Sequence, residues 1–188
     1  IPAMDANEYY TRAYNASMEI INNSPHMLYN ENPDFVDNYS EIFLKDGNSE
    51  IIFAEIYDEG LGKVHSWDFA SMPDKFAYAG GSTHCFLFES FEKYEYKDGT
   101  TGKMDWDQLD GQTKFDLDEL VLKKDPRFLA TAFYPEMEWQ DDIVYFHTET
   151  YGTIPADSDW PSQARKRDIE RTGLLVRKRV DEDVKFPQ

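Results

Sequence analysis

The segment from Phe86 to Ala132 constrains the fold of this chain more than any other segment. Its first part repeats apolar residues at steps of three and four residues: Leu87, Phe88, Phe91 and Tyr94. That spacing predicts a helix with one apolar face over residues 86–96. Asp98-Gly99 then ends the helix, because Asp tolerates a tight turn and Gly adopts a positive φ at little cost.

The second part of this segment contains Asp125-Pro126-Arg127 ahead of an apolar run. Asp125 can accept hydrogen bonds from backbone amides, and Pro126 fixes the direction of the chain. The guanidinium of Arg127 can hold a carboxylate in a bidentate pair. We therefore interpret these residues as a capped structural turn rather than as ligand contacts.

Three further motifs accompany this segment in a fixed order. They are Tyr10, Ala13 and Ala16 followed by Ile20-Ile21-Asn22-Asn23-Ser24; Phe43 followed by Glu50-Ile51-Ile52-Phe53; and Thr172-Gly173 followed by Arg177-Lys178. Together with the aromatic helix and the Asp-Pro-Arg-Phe turn, this order resembles the SusD/RagB family of surface nutrient-binding lipoproteins. The motifs are individually short, and their order and spacing cover nearly the whole chain.

The resemblance implies a mainly α fold with short strands and long loops, in which a tetratricopeptide-type helical scaffold supports a loop-rich ligand-binding part. On this basis residues 1–57 belong to the scaffold and residues 58–188 to the loop-rich part of a single domain. We expect only part of the SusD-like fold in this chain. A secretion signal and a lipidated cysteine would lie upstream, and the lipid would be the protein's only attachment to the membrane.

The resemblance also implies a function. Proteins of this family sit at the outer membrane, capture oligosaccharides without catalysis and pass them to a SusC-like TonB-dependent transporter. Some members capture peptides instead, so a peptide ligand stays an alternative. The resemblance carries over no ligand-binding residue, because the glycan-binding residues of the family lie in variable loops outside the matching motifs.

The remaining patterns predict two helices and four strands. One helix opens at an Asp5 to Glu8 capping box and ends by Pro25, and a second opens at Pro33-Asp34 and ends at Asp46-Gly47-Asn48. The strands are predicted over residues 50–57, 128–134, 143–148 and 174–180. No second copy of the first helical unit follows, so we expect its partner helices to lie outside this chain.

Charge and composition exclude several classes of function. With 37 acidic and 19 basic residues the net charge is −18, which disfavours nucleic acid as a partner. The single cysteine cannot form an internal disulfide, and the histidines lack chelating spacing, so we expect no metal or other cofactor. No apolar run reaches the roughly 18 residues that a membrane-spanning helix needs.

All four tryptophans fall in polar, loop-like stretches. A sugar ring binds by laying its apolar face on an aromatic ring, while polar side chains take its hydroxyls. The candidates for glycan binding are Trp67, Trp106, Trp139 and Trp160. The competing interpretation is that each indole covers a small hydrophobic core.

Other charged motifs carry less weight. The Asp105 to Gly111 stretch superficially suggests a calcium loop, but its third Asp and its Gly come one position late and the closing Glu is missing. The two basic runs, residues 165–167 and 177–179, are either solvated faces or a docking surface. We expect no catalytic residue, since pairs such as Asp116 with Asp118 or Asp141 with Asp142 arise readily in so acidic a chain.

Two alternatives from other classes stay open at this point. One is a fragment of a carboxylate-dependent glycoside hydrolase, which would need two facing carboxyl groups, one of them with a raised pKa. The other is an architectural adhesin or pilus-like module, which would bind a protein partner and ignore soluble sugars.

Overall fold

The computed structural model describes residues 5–77, 81, 83–108, 116–144, 146 and 173–186. The helices among them are α1 (Ala6–Asn23), α2 (Phe35–Leu44), α3 (Trp67–Ser71), α4 (Phe88–Phe91) and α5 (Pro126–Leu129). Single turns of 3-10 helix cover Glu59–Leu61 and Trp106–Gln108, and a π-helical turn covers Asp118–Leu122. The strands are β1 (Ala132–Phe133), β2 (Glu138–Trp139), β3 (Asp142–Ile143) and β4 (Leu175–Val176).

Helix α1 begins and ends close to where the capping signals predict. The Asp5 side chain accepts a hydrogen bond from the Asn7 amide at 3.3 Å, and Glu8 pairs with Arg12 one turn later. None of the residues of α1 is buried, and its tyrosines lie in solvent. The described residues do not show the repeated helix pairs of a tetratricopeptide-type scaffold, so this scaffold stays a prediction.

Helix α2 is also capped as predicted and packs against α5. The Asp34 carboxylate accepts hydrogen bonds from the amides of Val36 and Asp37, and Gly47 turns the chain after the helix with φ +66°. The basic segment 177–179 lies against the same helix, with the Lys178 ammonium 4.1 Å from the centre of the Phe43 ring. This segment therefore packs on α2 and is not only a solvated face.

The β1–β4 pair lies between two hydrophobic clusters and contributes residues to both. The strands are antiparallel, with Ala132 opposite Val176 and Phe133 opposite Leu175. Phe133 and Leu175 belong to a cluster with Met72, Phe76, Ala77, Met137, Trp139, Val144, Phe146 and Val180. Ala132 belongs to a second cluster with Phe86, Phe91, Val121, Phe128, Leu129 and Leu174. Neighbouring residues of a strand point to opposite faces, so this short ladder joins both clusters.

A tight hairpin connects β2 and β3. Glu138 pairs with Ile143 and Trp139 with Asp142, leaving Gln140 and Asp141 in the turn. Both turn residues have positive φ, 50° and 63°, as the hairpin turns that match strand twist require. The predicted strand over residues 143–148 thus begins at β3, and residues 145 and 147–148 lie outside the described part of the chain.

Two predicted elements differ from the structure. The helix predicted over residues 86–96 is a single turn, α4, because the backbone beyond it bonds to other segments, as in the Tyr96 amide bond to the Thr100 carbonyl. The strand predicted over residues 50–57 does not form, since no described residue makes a strand ladder with it and the nearest bridge, between Asp58 and Lys63, lies beyond its end. Its Phe53 is 89% exposed.

The predicted strand over residues 128–134 is only partly correct. The Asp125 carboxylate accepts from the Arg127 amide at 2.8 Å, and Pro126 occupies the first turn, so the chain begins as helix α5. Only Ala132–Phe133 is extended. Asp125 caps the turn as predicted, and the carboxylate that Arg127 holds in a bidentate pair is that of Asp125, with contacts of 2.9 and 2.7 Å.

A buried lysine holds the segment after α4 in place. Lys124 is 0% exposed, and its ammonium donates to the carbonyls of Tyr94 and Gly102 at 2.9 and 3.2 Å and more weakly to that of Phe91 at 3.4 Å. It also lies 4.1 and 4.3 Å from the centres of the Phe91 and Tyr96 rings. Burial lowers the pKa of Lys124, and the nearby Glu92 carboxylate partly opposes this shift.

Gly102 is the point where this arrangement is tightest. A Cβ atom at this position would collide with the Tyr94 carbonyl and with the Lys124 ammonium. Only glycine therefore lets residues 94–102 close around the lysine.

None of the helices among the described residues is long and apolar enough to span a membrane.

We expect Lys124→Met to lower the free energy of unfolding by about 2–4 kcal/mol, because the buried carbonyls of Tyr94 and Gly102 lose their donor. The control is Lys123→Met, which removes only an exposed ion pair with Glu119 and should change stability by less than about 0.5 kcal/mol. Urea denaturation measures both values. Equal losses for the two variants would contradict the role of Lys124.

Candidate functional site

The structure places the predicted indoles in different surroundings. Trp67, at the start of α3, is half-buried and stacks on His84 with ring centres 4.5 Å apart. Its Nε1 donates to the Lys178 carbonyl at 2.9 Å. The hydrogen bond of this indole connects α3 to the basic segment 177–179. We therefore assign Trp67 a packing role.

Trp139 does not lie in the polar, loop-like surroundings that the sequence predicts. It sits on β2 with 1% of its surface exposed, edge-on to Phe133 at 4.8 Å, and the Arg177 guanidinium covers it at 5.2 Å. The sequence prediction failed because Glu138 and Gln140 flank this residue, while alternation along the strand turns Trp139 to the core. Its Nε1 has no hydrogen-bond partner among the described residues.

Trp106 is the described indole that faces solvent. It opens the 3-10 turn Trp106–Gln108 and is 53% exposed. Its ring packs edge-on against Phe88 with centres 5.2 Å apart, and its Nε1 donates to Glu92 Oε1 at 2.8 Å. Two contacts therefore fix the orientation of a ring that keeps half of its surface free. Trp160, the fourth candidate, lies outside the described residues.

The Glu92 carboxylate bonds to two parts of this surface, and no pattern in the sequence predicted its role. Besides the indole, Glu92 Oε1 accepts from the Met104 amide at 3.0 Å. Glu92 follows α4 directly, while Met104 and Trp106 lie beyond the turn that Lys124 and Gly102 hold closed. The contact spans 14 residues of irregular chain, so periodicity could not predict it.

The edge of this surface is polar and acidic. Asp105 accepts from the Gln108 side chain at 2.6 Å, and Asp107 is exposed beside the indole. No group of residues among those described could hold a metal ion. The far end of the stretch that superficially suggests a calcium loop, residues 109–111, lies outside the described residues.

A pocket of about 300 Å³ lies between α2 and the segment 177–183. Its charged lining residues are Asp37, Glu41, Arg177, Arg179, Asp181, Glu182 and Asp183. Burial lowers the pKa of Arg177, and the Glu182 carboxylate opposes this. Hydrogen bonds from Lys45, Tyr29 and Asn32 lower the pKa of Glu41 to about 2. Glu41 is thus bonded to residues 29–45, while Arg177 donates to the Leu129 carbonyl at 3.1 Å, so the charged groups of the pocket are used in structural contacts on each side.

The acidic pairs singled out in the sequence have structural contacts. Asp116 Oδ1 accepts from the amides of Asp118 and Glu119 at 2.9 and 3.4 Å. Asp142 forms an ion pair with Lys75. Burial raises the pKa of Asp142, but the hydrogen bonds from Lys75 and from the Ile143 amide outweigh burial and leave it below its ordinary value. A general acid for glycoside hydrolysis requires the opposite shift.

Comparison with known protein families identifies one that covers most of the chain. The model of the SusD family matches residues 49–187, which is most of the chain. No curated protein and no solved structure matches the chain.

The two half-exposed indoles should differ in their contribution to stability. We expect Trp67→Phe to lower the free energy of unfolding by about 1–2 kcal/mol, because the Lys178 carbonyl loses its donor and the contact with His84 shrinks. Trp106→Phe, the matched control, should change it by less than about 0.5 kcal/mol because its site is largely solvated. Thermal and urea unfolding of both variants check this, and a larger loss for Trp106→Phe would be inconsistent with the two environments.

Proposed function

We propose that this chain, which belongs to the SusD family, binds oligosaccharides at the cell surface and delivers them to a SusC-like TonB-dependent transporter of the outer membrane. Members of the family bind nutrients for uptake across the outer membrane and are generally non-catalytic. The observation that carries the sugar-binding part is the exposed and fixed indole of Trp106.

A fixed aromatic ring suits carbohydrate for two reasons. The axial C–H groups of a sugar form an apolar patch that stacks on a flat ring, while the rim of hydroxyls needs polar neighbours. A ring that is already held in place loses little conformational entropy on binding. Trp106 meets both conditions, since Phe88 and Glu92 hold it and its sequence neighbours Asp105 and Gln108 carry polar side chains that bond to each other.

Of the other three predicted indoles, we propose a ligand contact only for Trp160. Trp67 and Trp139 are used in packing and carry no ligand in our account. Trp160 stays a predicted second contact. A single stacking ring gives weak binding, so we expect the full site to combine Trp106 with further loop residues.

The proposal includes no bond cleavage. Hydrolysis of a glycosidic bond would require two facing carboxyl groups in a cleft, one of them a proton donor near neutral pH. Among the described residues of these acidic pairs, Asp116 accepts amide hydrogen bonds that cap a turn, and the pKa of Asp142 is lowered, which is the opposite of the shift that a proton donor requires. This supports a binding role over a glycoside hydrolase.

The transporter and membrane parts of the proposal rest on family membership. We propose that the exposed tyrosine-bearing face of α1 belongs to the side that meets the transporter, and that a lipid anchor upstream retains the protein at the outer membrane. Trp106 lies in the loop-rich part, which we propose faces the substrate. No described helix could span a membrane.

We expect Trp106→Ala to weaken binding of an oligosaccharide by about 10–100-fold, because loss of a stacked ring removes roughly 1–3 kcal/mol of binding free energy. The matched control is Phe53→Ala, another exposed aromatic residue, which should leave affinity unchanged. Glycan-array screening identifies the sugar, and calorimetry on the wild type and both variants measures the affinities.

The proposal fails if no glycan binds. Binding of peptides with no binding of glycans would assign the chain to peptide capture instead. Release of reducing ends from polysaccharide, abolished by one Asp or Glu substitution, would establish an enzyme.

A further inference from the structure

We infer that the Trp106 site selects neutral sugars over acidic ones, and that the Glu92 carboxylate is the residue that makes this selection. The inference rests on the proposed function and names the class of sugar that the site takes. It follows from the hydrogen-bonding capacity left unused around the indole and from the local balance of charge.

Glu92 keeps one carboxylate oxygen available. Its Oε1 accepts from the Trp106 indole at 2.8 Å and from the Met104 amide at 3.0 Å. Its Oε2 accepts no hydrogen bond from any described residue, and the side chain is only partly buried. Both oxygens belong to one carboxylate, so Oε2 lies near the edge of the exposed ring and can accept a hydrogen bond from a hydroxyl of a stacked sugar.

The two N–H groups that meet at Glu92 are already used. The indole N–H and the Met104 N–H both point to Glu92, and the Gln108 side-chain amide donates to Asp105 at 2.6 Å. The buried Lys124 gives its protons to backbone carbonyls. The indole N–H and the Met104 N–H are therefore not available to a carboxylate or sulfate, while Oε2 of Glu92 is available to a hydroxyl.

Charge acts in the same direction. Segments 88–93 and 103–108 contain four acidic residues, Glu89, Glu92, Asp105 and Asp107, and two basic residues, Lys93 and Lys103. Both lysines are exposed on flexible side chains, whereas Glu92 is held beside the indole. An acidic sugar stacked on Trp106 would place its charge within a few ångströms of a fixed like charge, and this repulsion weakens in salt.

The test uses matched pairs of sugars that differ only in charge. Maltohexaose, cellohexaose, mannohexaose and galactohexaose are each compared with the same oligosaccharide oxidised at C6 to carboxylates, by calorimetry on the full chain. We expect at least one neutral hexasaccharide to bind through Trp106 and its oxidised form to bind roughly ten-fold more weakly in low salt. The difference should shrink in about 0.5 M salt, where screening acts over a few ångströms.

Variants then assign the selection to Glu92. Glu92→Gln replaces the available carboxylate oxygen by an amide group that donates, so neutral binding should also weaken. Because the charge is gone, the ratio of the neutral to the oxidised affinity should fall from roughly ten-fold to below about three-fold. Glu31→Gln removes an exposed carboxylate from the segment before α2 and should change neither value. Thermal unfolding of each variant excludes a loss of fold.

The outcomes separate this inference from the proposed function. Oxidised sugars that bind as tightly as neutral ones, through Trp106, would overturn the selection and leave glycan binding intact. Discrimination that persists in Glu92→Gln would overturn the role of this residue. No binding of any sugar in the panel or on a wider array would overturn both.

Discussion

The arrangement of the candidate site depends on one buried ammonium group. Lys124 has no exposed surface, and it joins residues 91–102 to the turn before α5 by donating to backbone carbonyls and lying between two aromatic rings. A lysine in an apolar cluster is costly unless its donors are satisfied, so the carbonyls of Tyr94 and Gly102 have to be presented together. That requirement closes the loop after α4, and it needs glycine at position 102.

The closed loop in turn sets the geometry of the exposed indole. It brings Met104 and Trp106 back to Glu92, whose carboxylate accepts from both and also lies near enough to Lys124 to oppose the effect of burial on its pKa. Phe88 of α4 supports the ring from the side. An irregular stretch of chain thus forms a preorganised aromatic surface. Binding of a ligand to this surface costs little conformational entropy, because the side chains are already fixed. The hydrophobic clusters joined by the β1–β4 ladder provide the rigid base.

The sequence predicted those parts of the fold that depend on contacts between residues close together in the chain. The caps at Asp5, Asp34 and Asp125 and the turns at Gly47 and Gly99 form as expected. The order of motifs pointed to the family that the match over residues 49–187 shows. Parts that depend on distant contacts were not predictable. The helix after Phe86 stops early because the backbone beyond it bonds to other segments, as in the Tyr96 amide bond to the Thr100 carbonyl. Trp139 is buried by strand alternation in a stretch too short to show a period.

The most direct test of the account follows the indole N–H resonances of the four tryptophans by NMR while an oligosaccharide identified by array screening is added. We expect the Trp106 signal to shift and saturate with the binding isotherm, while the signals of Trp67 and Trp139 keep their positions. Saturable binding that moves Trp67 or Trp139 and leaves Trp106 unchanged would contradict the assignment of this surface as the sugar-binding site.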